Sequence, residues 1–189
     1  MIMTVQDALA KWEQLYKNVM GMEVDFSTLI VPPQPEGDHW PIVVVPNITY
    51  NHVVTGLRKL FPVWTWTYDL DKIIDITKEQ RADKKDPYIV WVKATQEADP
   101  DNAGKSAVDL VGTNQITLKE RLLLEGFYFQ ETGRHLDNVN ITLCAGSRYL
   151  DGRVPHVFWY GSDDGLCVGY CYPHPVSRDG RLRSRSVFC

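Results

Sequence analysis

Apolar side chains recur at Val5, Leu9, Trp12, Leu15 and Val19, the spacing of one helical face. Thr4 with Asp7 three residues on supplies a capped start, and Gly21 a stop, so residues 1–22 are predicted to hold an N-terminal helix. Two short extended runs follow, Phe26–Val31 and Ile42–Val45, flanking the proline-stiffened loop PPQPEGDHWP. Thr49 can cap a second helix whose face is Val53, Leu57 and Leu60, ending before Pro62. VWTWTY (63–68) and YIVWVKA (88–94) have the aromatic and β-branched content of strands. Between them, TKEQRADKKDP reads as a solvated charged connector, and EADPDNAGKS forms a second polar loop.

The pattern changes at Thr117. Thr117 and Glu120 have capping-box spacing, Leu118, Leu122, Leu124 and Phe129 supply apolar positions, and Gly133 sits where a C-terminal cap belongs. The main helix is therefore expected at 117–133. From 138 to 189 only strand-like pieces remain (NITLC, VPHVFWY, LCVGYCY, LRSRSVFC), separated by the turn signals LDGR, GSDDG and SRDG. Helices early and short strands late predict a single α+β domain with two to three helices and antiparallel strands.

Composition refines this picture. At 189 residues, 44% hydrophobic and 23% charged, the chain can bury a real core. A net charge of -4 gives no general attraction to nucleic acid or anionic membrane. No apolar run, Ile42–Val45 included, is long enough to span a bilayer. Asp7, Lys11 and Glu13 interrupt any signal-peptide core, and four cysteines without such a peptide suggest free thiols in the cytoplasm or on a virion.

Candidate chemistry is thin. The chain has no G-x-S-x-G, no glycine-rich phosphate loop after a strand and no H-E-x-x-H, so no catalytic residues are nominated. Cys144, Cys167, Cys171, His156 and His174 share the last third, but Cys167-x3-Cys171 lacks the spacing of common zinc knuckles. Small side chains filling a strand face explain those cysteines more simply, and no metal or cofactor is expected. His135, just past the main helix, reads as a helix-terminus or surface histidine. Arg178, Arg181, Arg183 and Arg185, with Tyr170, Tyr172 and Phe188 nearby, could stack on and neutralise a nucleic-acid strand. Asp163, Asp164 and Asp179 dilute that patch.

The most unusual property is an absence. Positions 132–189 contain no Lys, Glu, Gln or Met. These types make up ~20% of ordinary sequence, so an even draw would miss them all on the order of once in 10⁵ to 10⁶ trials. Strand and turn preferences account for part of the gap. They do not account for abundant Arg where Lys is missing. Tyr, Ser, Gly and Arg are also the residues of natural paratopes, which combine rigid aromatics with adaptable small polar groups.

The segment running through ERLLLE, TGRHLD, ITLCAGSR, DGRVP and the terminal LRSRSV resembles the variable proteins of diversity-generating retroelements. That resemblance implies a C-type lectin-like fold displaying diversified residues on one face. It also implies a reverse transcriptase that randomises template adenines, turning AAY codons into NNY. NNY codons cannot encode Lys, Glu, Gln, Met or Trp, and Trp159 is the tail's one exception, hence a fixed scaffold residue. AGSR at Ala145–Arg148 is the nearest counterpart of the glycine-glycine-x-tryptophan signature in many such regions. Carried over, the display residues are Tyr149, Arg153, His156, Phe158 and Tyr160, then Gly169, Tyr170, Cys171, Tyr172, His174, Ser177 and Arg178. Leu143, Val154, Val168, Leu182 and Val187 are expected in the core. The function so implied is non-enzymatic binding of a macromolecular ligand, a protein in preference to nucleic acid.

Overall fold

The computed structural model describes residues 4–169 and 176–189. Helix α1 (Val5–Leu15) is capped by the Thr4 hydroxyl, which accepts from the Asp7 amide. A π-helical turn, Tyr16–Met20, carries it to Gly21. Strand β1 (His39–Val44) absorbs the end of the segment expected as a loop, and α2 (Tyr50–Leu57) starts at Thr49, whose hydroxyl caps the His52 amide. Strands β2 (Val63–Thr65) and β3 (Tyr88–Lys93) follow. Helix α3 (Leu118–Thr132) has both halves of the predicted capping box and ends on left-handed Gly133. The tail forms β4 (Ile141–Leu143), β5 (His156–Tyr160), β6 (Gly165–Gly169) and β7 (Leu182–Arg183).

This is a mixed α+β architecture with two sheets, and none of the helices is long and apolar enough to cross a membrane, among the described residues. β1 and β3 pair antiparallel. The second sheet has the order β2-β6-β5-β4-β7. Two expectations are corrected here. That sheet is not purely antiparallel, because both edge strands, β2 on β6 and β7 on β4, run parallel to their neighbours. Phe26–Val31 forms no strand: Phe26, Leu29 and Val31 pack on the core around a turn, while Ile30 is exposed.

One hydrophobic cluster joins the ends of the chain, from Trp12 in α1 to Val187 after β7. The Trp12 indole donates to the Pro41 carbonyl and the Tyr16 hydroxyl to that of Val43, so α1 covers the free edge of β1. Leu143, Val154, Val168, Leu182 and Val187 are all buried, as expected. Trp159, expected to be a fixed scaffold residue, lies 9% exposed, its ring parallel to that of His135. His135 is itself wedged against Phe129 and bonded through Nδ1 to Glu125 at 2.9 Å, so it is a packing residue.

Candidate functional site: the outer face of the five-stranded sheet

Strand alternation sorts β2, β6 and β5 into two faces. Val63, Leu166, Val168, Val157 and Trp159 point inward and join the main core. The intervening positions point outward. Register places Trp64 beside Cys167 and Cys167 beside Phe158, forming one row across three strands. Above and below it on the same face stand His156, Tyr160, Gly165 and Gly169.

The two glycines determine how the rings lie. A β-carbon on Gly165 would sit 2.1 Å from Nε1 of Trp64, and one on Gly169 would sit 2.0 Å from Nε2 of His156. The central strand is thus bare at alternate positions, and aromatic rings from both neighbours fold over it. His156 and Phe158 stack within 11° of parallel, and Tyr160 meets Phe158 edge-on at 6.2 Å between ring centres. Trp64 is 56% exposed and Tyr160 45%, while Phe158 and Cys167 are half-buried. Exposed aromatic rings clustered like this are unusual on a monomer's surface and typical of recognition patches.

No outward position on these strands carries a formal charge at neutral pH. Burial holds the His156 imidazole down to about 4, so it is neutral there, and its Nδ1 has no hydrogen-bond partner among the described residues. Burial first, and Asp163 second, push the Cys167 thiol up, keeping it protonated and weakly nucleophilic. Nearer β4 the same face is covered, because Leu143 joins Ala107, Leu110, Ala145 and Val154 in a second small core. The open area is therefore the β5-β6-β2 end.

Of the residues expected to be displayed, His156, Phe158, Tyr160 and Gly169 come together on this face. Tyr149 does not present a surface. It is 1% exposed, its hydroxyl donating to the Gly169 carbonyl and accepting from the Trp66 indole, each at 3.0 Å. It braces the sheet from beneath. Arg153 is half-buried and pairs with Asp151, Ser177 is half-buried, and exposed Arg178 pairs with Asp109 at 2.7 Å. Tyr170, Cys171, Tyr172 and His174 lie outside the described residues.

Trp64 and Cys167, both on the face, were not among the expected display residues, and neither was 41% exposed Trp66, which extends β2 by donating its backbone N–H to the Val168 carbonyl. The W-T-W alternation was the available signal for the two tryptophans. Their neighbour, β6, lies about a hundred residues further along, and only the fold supplies it.

The arginines of the tail divide. Arg185 is fully buried: its guanidinium bonds Asp137 at 2.8 Å and the carbonyls of Thr95 and Gln96. Asp137 also pairs with Arg121, which reaches Glu125. Burial alone would raise the Asp137 pKa, but Arg185 and Arg121 outweigh it and hold the carboxyl below its ordinary value. Arg181 is tied to Asp179.

Among the described residues no group of three or more His, Cys, Asp or Glu is arranged to hold a metal. No protein-family model matches the chain, and comparison with curated proteins and with solved structures finds no match.

Proposed function

We propose that the chain is a non-enzymatic ligand-binding protein whose recognition surface is the outer β5-β6-β2 face, diversified through the mechanism of a retroelement. On this reading the fold is C-type lectin-like and the ligand is a macromolecule, a protein before any other. The observation that carries it is the coincidence of two independent features. The stretch lacking Lys, Glu, Gln and Met supplies β5 and β6, and these strands hold the open aromatic patch of Phe158 and Tyr160 around Cys167. Rigid rings give large contact area at small entropic cost, which suits a surface whose partner changes.

The nucleic-acid reading has less support. Arg185 is sealed inside, and Arg178 and Arg181 are paired with aspartates, which weakens the basic patch it requires. A salt-titrated gel shift separates the two, because binding through phosphates must weaken steeply with salt. Sequencing the surrounding locus tests the main proposal. A reverse transcriptase gene and a template repeat differing from this coding region at adenines are expected, and their absence would remove the retroelement reading.

A further inference from the structure

A second site, sharing no residue with the sheet face, lies where the end of β1, the start of β3 and the first turn of α3 meet. It is a pocket of about 250 Å³ whose wall includes Glu79, Arg81, Lys84, Lys85, Tyr88 and Lys119. The connector bearing the first four, expected as a solvated loop, is pinned. Arg81, in left-handed conformation (φ 63°), grips Glu120 with two hydrogen bonds of 2.6 and 2.7 Å. Tyr88 and the Thr117 amide also donate to Glu120, so that ion pair is saturated and electrically closed.

The remaining charges do not balance. Glu79 is the one other carboxylate in the wall, and its Oε1 already accepts from the hydroxyls of Tyr50 and Ser147. Lys84, Lys85 and Lys119 join no ion pair among the described residues. Lys119 is half-buried, its ammonium 5.1 Å above the Tyr50 ring. Within the wall three ammonium groups stand against one carboxylate, and although Asp71 also acts on Lys119 from outside it, the concave space keeps an excess of positive charge. We propose that this pocket binds a phosphate group, whose charge of about -1.5 to -2 at neutral pH complements that excess, with Lys119 the principal contact. The volume suits inorganic phosphate or a small monoester and lies below the range of about 300–1,000 Å³ for drug-sized ligands.

Calorimetric titration at constant ionic strength tests this, with inorganic phosphate, free phosphoserine and acetate in separate arms. Saturable binding of phosphate or phosphoserine is expected, and whichever binds tighter identifies the source as free anion or monoester. Lys119→Gln should weaken it by about tenfold, as loss of one desolvated charge contact does. The exposed pair Lys84→Gln/Lys85→Gln should also weaken it, and decides the matter if Lys119→Gln does not fold. Lys17→Gln, elsewhere on the surface, should leave it unchanged. No saturable phosphate binding, acetate binding as tightly as phosphate, or undiminished affinity in the lysine variants would overturn the assignment.

Discussion

Arg185 and Tyr160 belong to the same compositionally skewed tail and have opposite fates. Arg185 is sealed beneath the sheet with Asp137, Arg121 and Glu125, whereas Tyr160 stands 45% exposed on the outer face with Trp64 and Phe158. The buried cluster is polar and built on Asp137, whose carboxylate pairs with both Arg121 and Arg185. The outer face is aromatic, uncharged and open. A skewed composition therefore does not mark a surface by itself, since one tail builds both the anchor that fixes the sheet and the face that the sheet presents.

The contrast can be broken most forcefully at Asp137. Its carboxylate accepts from Arg121, Arg185, Thr142 and the Ala98 amide, so Asp137→Ala leaves the buried Arg185 without a carboxylate and Arg121 with Glu125 alone. A loss of about 3–5 kcal/mol is expected in denaturant unfolding, enough to unfold many domains outright.

Acid sharpens the contrast next. With His156 held down to about 4 in the folded state against its ordinary value of 6.5, the unfolded chain binds an additional proton between those pH values. Stability is then fully present above pH 6.5 and declines as pH falls toward 4, by up to about 3 kcal/mol from this group. His156→Asn should flatten that part of the stability–pH curve, and an unchanged slope would count against the burial account.

The two glycines come third. Gly169→Ala pushes into the buried His156 ring and should cost about 1–3 kcal/mol. Gly165→Ala meets exposed Trp64, which can swing outward, so the cost should stay below about 1 kcal/mol while tryptophan fluorescence shifts. The smallest effect belongs to Trp64→Ala and Tyr160→Ala. Thermal unfolding should move by no more than about 0.5 kcal/mol, because rings so exposed contribute little to the core.

What could be read in the sequence was local. The α1 cap at Thr4, the capping box at Thr117 and Glu120, and the alternation that buries Val168 all depend on residues within a turn or a strand of one another. What could not be read depends on distant partners. Tyr149 looked like a display residue, but Trp66 and Gly169 satisfy its hydroxyl inside the fold. Arg185 looked available for phosphate until Asp137 and two carbonyls from the loop after β3 enclosed it. The parallel pairing of β2 with β6 brings Trp64 to the face, and no turn signal encodes a pairing of that sequence separation.

The central claim is that the outward positions 156, 158, 160 and 167 of β5 and β6 are free to vary while the inward ones hold the fold. Sequencing many copies of the locus tests it directly. The account predicts that substitutions concentrate at 156, 158, 160 and 167, with 157, 159, 166, 168 and 185 constant. Variation spread equally over both faces, or absent from the outward positions, would contradict it.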